Sequence, residues 1–240
     1  MSSVSMKLSL IDLSNLGEND FPRWESTKIQ IREALQEYGC FEATFNNIIP
    51  LELRKSVGDD IRQFFNLPLA VKLLNKHHKA YHSYVGQNNF ATPAERSGFV
   101  GAFSSHIVDT FANLMWPDQG NTTFSKDIQL YCEKLSELDK MVRRMVVENL
   151  GLEKYIDEHF NSLDYVCCFQ KVVVSGDEAR YSIRLFSAPK EGGVIKTQEE
   201  LVDEGHPLLY KPFDYYKFVD FTSTDAGRAS PDPLKEYCGA

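Results

Sequence analysis

The sequence predicts an α+β protein whose helical N-terminal half precedes a shorter, strand-bearing second half. Three observations carry this. Apolar residues recur at helical spacing from Phe21 to about Phe160. Continuous strand-like text appears only afterwards, from Tyr165 to Ser187. The chain has 240 residues with 42% hydrophobic content, enough to bury a core as one large domain or two small ones. We place the boundary so that 1–164 is mainly helical and 165–240 carries the strands.

Taken in order, Leu8 to Leu13 reads as a short apolar strand. A helix opens at Phe21-Pro-Arg-Trp-Glu and runs to Tyr38, with Ile29, Ile31, Ala34 and Leu35 as its apolar stripe and Gly39 as its stop. Cys40 to Phe45 alternates like a strand. A second helix should cover Leu51 to Phe65, ahead of Pro68, and a third should start at Leu69 and fade around Lys76. From there to Gly101 the text is aromatic and irregular, a loop or a binding surface built on Tyr81, Tyr84, Phe90, Phe99 and Phe103, unless these rings are packing. His106 to Leu114 suits a short helix closed before Trp116-Pro117. Ser125 is a candidate N-cap for the longest helix, whose apolar positions from Ile128 to Leu150 keep helical spacing up to Gly151. Its Lys140, Arg143 and Arg144 read as a solvated face. Leu152 to Phe160 is a further short helix, Val194-Ile195 a small strand and Glu199 to Asp203 a helical turn. Pro207 to Tyr210 is extended, Phe213 to Phe221 is an aromatic closing helix, and the tail from Ser230 is loosely held.

Net charge of −8 and a pI near 5.3 argue against nucleic acid or anionic membrane as partners through bulk electrostatics. No apolar run approaches a membrane span, and the first residues lack the basic-then-apolar plan of a secretory signal. The five cysteines (Cys40, Cys132, Cys167, Cys168, Cys238) form no C-x-x-C pair, which suits reduced thiols in a cytoplasmic protein without a disulfide framework or zinc site. The Asn121-Thr-Thr123 sequon is then incidental.

The most informative words are Arg180-Tyr181-Ser182, within two short strands joined by a polar turn. Alternation sends Arg180 and Ser182 to one face and Tyr181 and Ile183 to the other. A guanidinium beside a hydroxyl can clamp a small carboxylate, because the planar fork matches both oxygens. Alone, the triplet is a weak signal that better fits a surface strand with a solvated arginine.

The surrounding words extend it. Arg180-Tyr-Ser-Ile-Arg-Leu-Phe-Ser187 followed by Pro189-Lys-Glu-Gly192 resembles the 2-oxoglutarate-binding strand of plant iron(II)/2-oxoglutarate-dependent dioxygenases. Leu10-Ile-Asp-Leu-Ser14, Tyr38-Gly-Cys-Phe41, Phe64-Phe-Asn-Leu-Pro68 with Lys72, His82-Ser-Tyr-Val-Gly86, Trp116-Pro-Asp-Gln-Gly120 and His206-Pro with Lys211-Pro-Phe213 resemble the family's words in the family's order. The branch that modifies glucosinolate side chains is the most similar. The resemblance implies a helical N-terminal domain before a double-stranded β-helix, or jelly roll, with Arg180 and Ser182 holding the distal carboxylate of 2-oxoglutarate. It implies Fe(II) and 2-oxoglutarate as cofactors and a small plant specialised metabolite as substrate, oxidised as 2-oxoglutarate becomes succinate.

The same resemblance exposes departures. The family's iron is held by an H-x-D/E motif and a second histidine just before the R-x-S strand. None of the six histidines has a carboxylate two residues on; the residues at that spacing are Lys79, Ala80, Tyr84, Val108, Asn161 and Leu208. His106 with Asp109 shares a helical face, but a local contact explains that pair as well. Gln170 in Cys168-Phe-Gln-Lys-Val172 stands at the second histidine's place, and an amide oxygen is a poor transition-metal ligand. Cys167 and Cys168 point to opposite faces, so at most one looks into any pocket, and both suit small buried hydrophobes. Arg184 replaces the family's glycine on the face of Arg180 and Ser182, where it adds a second anion clamp, fills space, or marks a face no longer enclosed. Asn161 runs almost directly into Cys167 where the family has a long run of strands, so the jelly roll is expected as a remnant with several core strands missing. The expected function is a truncated homologue inactive as an oxygenase, its unpaired strand edges open to self-association. The alternatives are a non-redox ligand-binding or interaction protein, and a dioxygenase still active through unrecognised ligands.

Overall fold

The computed structural model describes residues 7–17, 19–77, 82–86, 94–173 and 178–240. The first elements form a βαβ unit: β1 (Leu10–Asp12) pairs in parallel with β2 (Glu42–Thr44), joined by α1 (Phe21–Tyr38). Asp20 caps α1 through Arg23 N, and Gly39, at φ 70°, closes it by donating to the Leu35 carbonyl at 3.0 Å. Next come α2 (Leu51–Asn66), the single turn α3 (Leu69–Lys72) after Pro68, β3 (Ala94–Val100), α4 (Ser105–Met115) and α5 (Thr122–Asn149). A 3₁₀ turn at Glu153–Tyr155 leads to α6 (Ile156–Asn161), and Ser162 alone separates that helix from β4 (Leu163–Val173). The expected single helix over Leu152 to Phe160 is thus divided.

These elements differ from the sequence expectation in three places. The long helix is capped by Asn121, whose Oδ1 accepts from Phe124 N at 3.0 Å; Ser125 lies buried a turn further in. Arg143 and Arg144 are not simply solvated. The Arg143 Nε lies 3.0 Å from both Asp139 oxygens, and Arg144 donates to Glu148, which also accepts from Trp24 Nε1 at 2.8 Å and so fastens α1 to α5. The stretch read as irregular contains β3, antiparallel to β4 with Ala94 opposite Val172 and Val100 opposite Val166. Its alternation is illegible because Ala94, Glu95, Ser97, Gly98 and Phe99 are all buried, polar and apolar alike. With β5 (Ala179–Pro189) it makes a three-stranded sheet ordered β3-β4-β5.

The chain divides into two compact units, residues 1–157 with 165–186, and residues 158–164 with 187–240. In the first, α2, α4 and α5 cover one sheet face, with Phe64, Phe99, Phe111, Phe124 and Phe169 in mutual ring contact. Tyr84 and Phe99 belong to this core and Phe103 packs on it, so these rings are not a binding surface; Tyr81 and Phe90 lie outside the described residues.

In the second unit, β6 (Val194–Ile195) pairs with β7 (Phe213–Asp214), and Asp214 then caps α7 (Tyr215–Thr222) by accepting from Tyr216 N at 2.8 Å. The closing helix therefore starts two residues later than its aromatic pattern suggests. The tail is not loose. After α8 (Asp225–Ala229), Asp232 and Pro233 start α9 (Pro233–Cys238), Tyr237 packs on Phe213, Phe218 and Phe221, and Ala240 N donates to the Leu209 carbonyl at 3.0 Å. Among the described residues no helix is long and apolar enough to cross a membrane.

A buried charge cluster ties the sheet of the first unit to its helices. Glu95 on β3 accepts from Lys72 Nζ at 2.5 Å and from the Tyr84 hydroxyl at 2.6 Å, with Lys171 Nζ of β4 at 3.4 Å. Lys72 also donates to the Phe65 carbonyl at 2.9 Å. Burial pushes the Glu95 carboxyl up, but the bonds from Lys72 and Tyr84 and the Lys171 charge bring it below its ordinary value. Replacing Lys72 by Met strands a buried carboxylate and should cost about 3–5 kcal/mol. Adding Glu95→Gln should recover most of it, read as urea midpoints of the two variants.

Asp60 on α2 is only 3% exposed, and its Oδ2 has no hydrogen-bond partner. Burial, then the charges of Asp127 and Asp59, raise its pKa from 3.8 to about 6. A raised carboxyl contributes stability that is present below pH ~4 and lost as pH climbs through about 6. Asp60→Asn should therefore stabilise the protein above pH 7 by up to about 3 kcal/mol, with the advantage vanishing near pH 4, in paired urea titrations.

Candidate functional site

The site is assembled on the sheet face opposite the aromatic core. Phe169 and Cys167 of β4 point into that core, as do Tyr181, Ile183 and Leu185 of β5. Their alternates Cys168, Gln170, Arg180, Ser182 and Arg184 therefore share the other face. Arg180 and Arg184 are exposed; Ser182 and Gln170 are half-buried. The sequence placed Arg180 and Ser182 on one face, and the strand does so, with Arg184 beside them.

Arg184 and Gln170 meet across the β4–β5 pair, the Arg184 Nη2 donating to the Gln170 amide oxygen. Arg96 lies opposite Gln170 in the β3–β4 register. Arg96 and Arg184 also act on Cys168, whose thiol burial pushes up to about 11 while the two guanidinium charges pull the other way. Sequence reading missed Arg96 because it lies in the stretch without alternation; no local signal marks it as a neighbour of Gln170.

The other candidates separate from this face. His106 and Asp109 are exposed on α4. Cys167 is fully buried against Cys132 of α5, and the hydrogen bond with that thiol, then burial, raise its pKa well above the ordinary value. Among the described residues no group of three His, Cys, Asp or Glu side chains could hold a metal ion. The arrangement on the sheet is an array of guanidinium, amide and hydroxyl donors, groups whose chemistry is complementary to anions.

The profile of the non-haem dioxygenase in morphine synthesis N-terminal family matches residues 8–118. The probable 2-oxoglutarate-dependent dioxygenase AOP1.2 of Arabidopsis thaliana is 31% identical, the alignment covering 98% of this chain and 97% of that protein. The chain belongs to the plant 2-oxoglutarate-dependent dioxygenase family. That alignment spans 317 positions against 240 residues here, so within it several tens of the relative's residues face none in this dioxygenase homologue. The Arabidopsis protein named "Probable inactive 2-oxoglutarate-dependent dioxygenase AOP2" is 39% identical over 69% of this chain and 41% of its own length. The solved structure of JOX2 in complex with 2OG, Fe and JA superposes with a TM-score of 0.74 at 18% identity, covering 98% of this chain and 90% of that one. The fold is thus that of the jelly-roll 2-oxoglutarate oxygenases, with a helical N-terminal half and a reduced set of strands.

The cysteines of the homologue give a direct check of the sheet. Cys40 is exposed and Cys132, Cys167, Cys168 and Cys238 are buried. Iodoacetamide at pH 8 should label Cys40 at least tenfold faster than the other four, with all five reacting only in denaturant, as read by peptide mass spectrometry.

Proposed function

We propose that this homologue does not oxidise a substrate through iron, and that it keeps from the family's machinery the carboxylate clamp of Arg180 and Ser182. One observation carries the reading: the amide of Gln170, at the position that the resemblance gives to an iron-binding histidine, receives the guanidinium of Arg184. An amide oxygen is a weak ligand for a transition metal, and a guanidinium beside it repels a dication. The residues present therefore do not fit Fe(II). The similarity to the Arabidopsis protein named as a probable inactive dioxygenase supports the same reading.

Arg180 and Ser182 would take the distal carboxylate of 2-oxoglutarate, as the family's R-x-S strand does. The clamp alone is weak. Charge-assisted hydrogen bonds contribute about 1.5–3 kcal/mol each, and a millimolar complex already needs about 4 kcal/mol. We place the homologue in the cytoplasm of a plant cell, descended from an oxidase of a small specialised metabolite and shortened in its jelly roll.

Purified protein given Fe(II), ascorbate and labelled 2-oxoglutarate should release no more succinate than a Gln170→Ala control. Succinate well above that control would overturn the proposal.

A further inference from the structure

We propose that the outward sheet face is a metal-independent clamp for a small dicarboxylate, with Arg180 and Ser182 taking one carboxylate and Arg184, steadied by Gln170, taking the other. This rests on the reading above in one respect, that no iron stands between the two ends.

The protein carries −8 overall, yet among the described residues the outward strand positions of β3–β5 in the first unit hold Arg96, Arg180 and Arg184 and no carboxylate, the exposed Glu178 lying just before β5. Among the described residues neither Arg180 nor Arg184 forms an ion pair with an acid; Arg184 instead donates to the neutral amide of Gln170. That bond uses one donor of the five that a guanidinium offers, leaving the rest of the fork available and its swing reduced. Arg180 and Arg184 are four residues apart on one strand, with Cα atoms roughly 13 Å apart and Ser182 midway. Two guanidiniums separated in this way read two separated carboxylates; a single compact anion would leave one of them unused. Because both ends are read by guanidinium, nothing in the site requires a 2-keto group. Succinate and glutarate are then ligands on equal terms with 2-oxoglutarate.

The test is calorimetric titration of the full chain in EDTA with succinate, glutarate, 2-oxoglutarate, acetate and inorganic phosphate, at low salt where exposed charges are least screened. The three dicarboxylates should bind within about threefold of one another at roughly millimolar Kd, and acetate and phosphate at least tenfold more weakly. Arg184→Gly should weaken the dicarboxylates about tenfold without changing acetate. Arg184→Lys, which keeps the charge and loses the fork, should fall between, and a shared melting temperature would show that both variants fold. Equal affinity for acetate, or no effect of Arg184→Gly, would overturn the clamp. So would absence of binding with and without Fe(II), which leaves the reading of inactivity standing. Binding of 2-oxoglutarate alone and only with Fe(II) would overturn both.

Discussion

A carboxylate removed from water inside a fold of this size has to be matched group for group, and Glu95 is matched from three directions. Lys72 reaches it from the turn after Pro68, Tyr84 from the segment before β3, and Lys171 from the neighbouring strand. Each partner belongs to a different stretch of chain, so the charge fixes where β3 lies relative to α3 and β4. Breaking such a pair costs more than forming it gains, which is why its effect is on register more than on net stability. A strand shifted by one residue would turn Glu95 outward and Arg96 into the core. The outward array of guanidiniums depends on that register as much as the aromatic core does.

The sheet therefore has two contrasting faces made by one alternation. Inward, Phe99, Cys167, Phe169, Tyr181 and Ile183 pack under α2, α4 and α5. Outward, the same strands present Arg96, Gln170, Ser182 and the two arginines of β5. A closed jelly roll would enclose this second face, where the effective dielectric is low and each polar contact counts for more. An exposed guanidinium keeps its water, so its contacts are worth less and salt weakens them.

The helices of the first half and the β5 alternation were legible in the sequence because their signals are local: period, cap and stop. Gly39 closing α1 and the shared face of Arg180 and Ser182 follow from neighbours a few residues away. What escaped was fixed by distant partners. β3 looks irregular because its polar Glu95 is buried, and partners as distant as Lys72, 23 residues earlier, and Lys171, on the next strand, explain why that is tolerated. The tail looked loose because two prolines and small residues dominate it, yet Tyr237 finds a pocket of rings from Phe213 to Phe221. Arg96 could not be placed at the site, because its position opposite Gln170 exists only once β3 has paired.

Gln170 and Arg184 look in the sequence like two unrelated departures from the family's words, and the structure joins them in one hydrogen bond. Either change alone would be poorly matched. An arginine in place of a glycine beside a metal-bound histidine would set a guanidinium against a dication at close range, and at an effective dielectric near 20 such proximity costs several kcal/mol. A glutamine alone would leave its amide oxygen seeking a donor on a half-buried strand. Together they satisfy each other: the arginine supplies the donor and the amide supplies a neutral acceptor. The pair is thus satisfied without a metal, and the proposed loss of iron binding rests on that match, which a single substitution at either position would break.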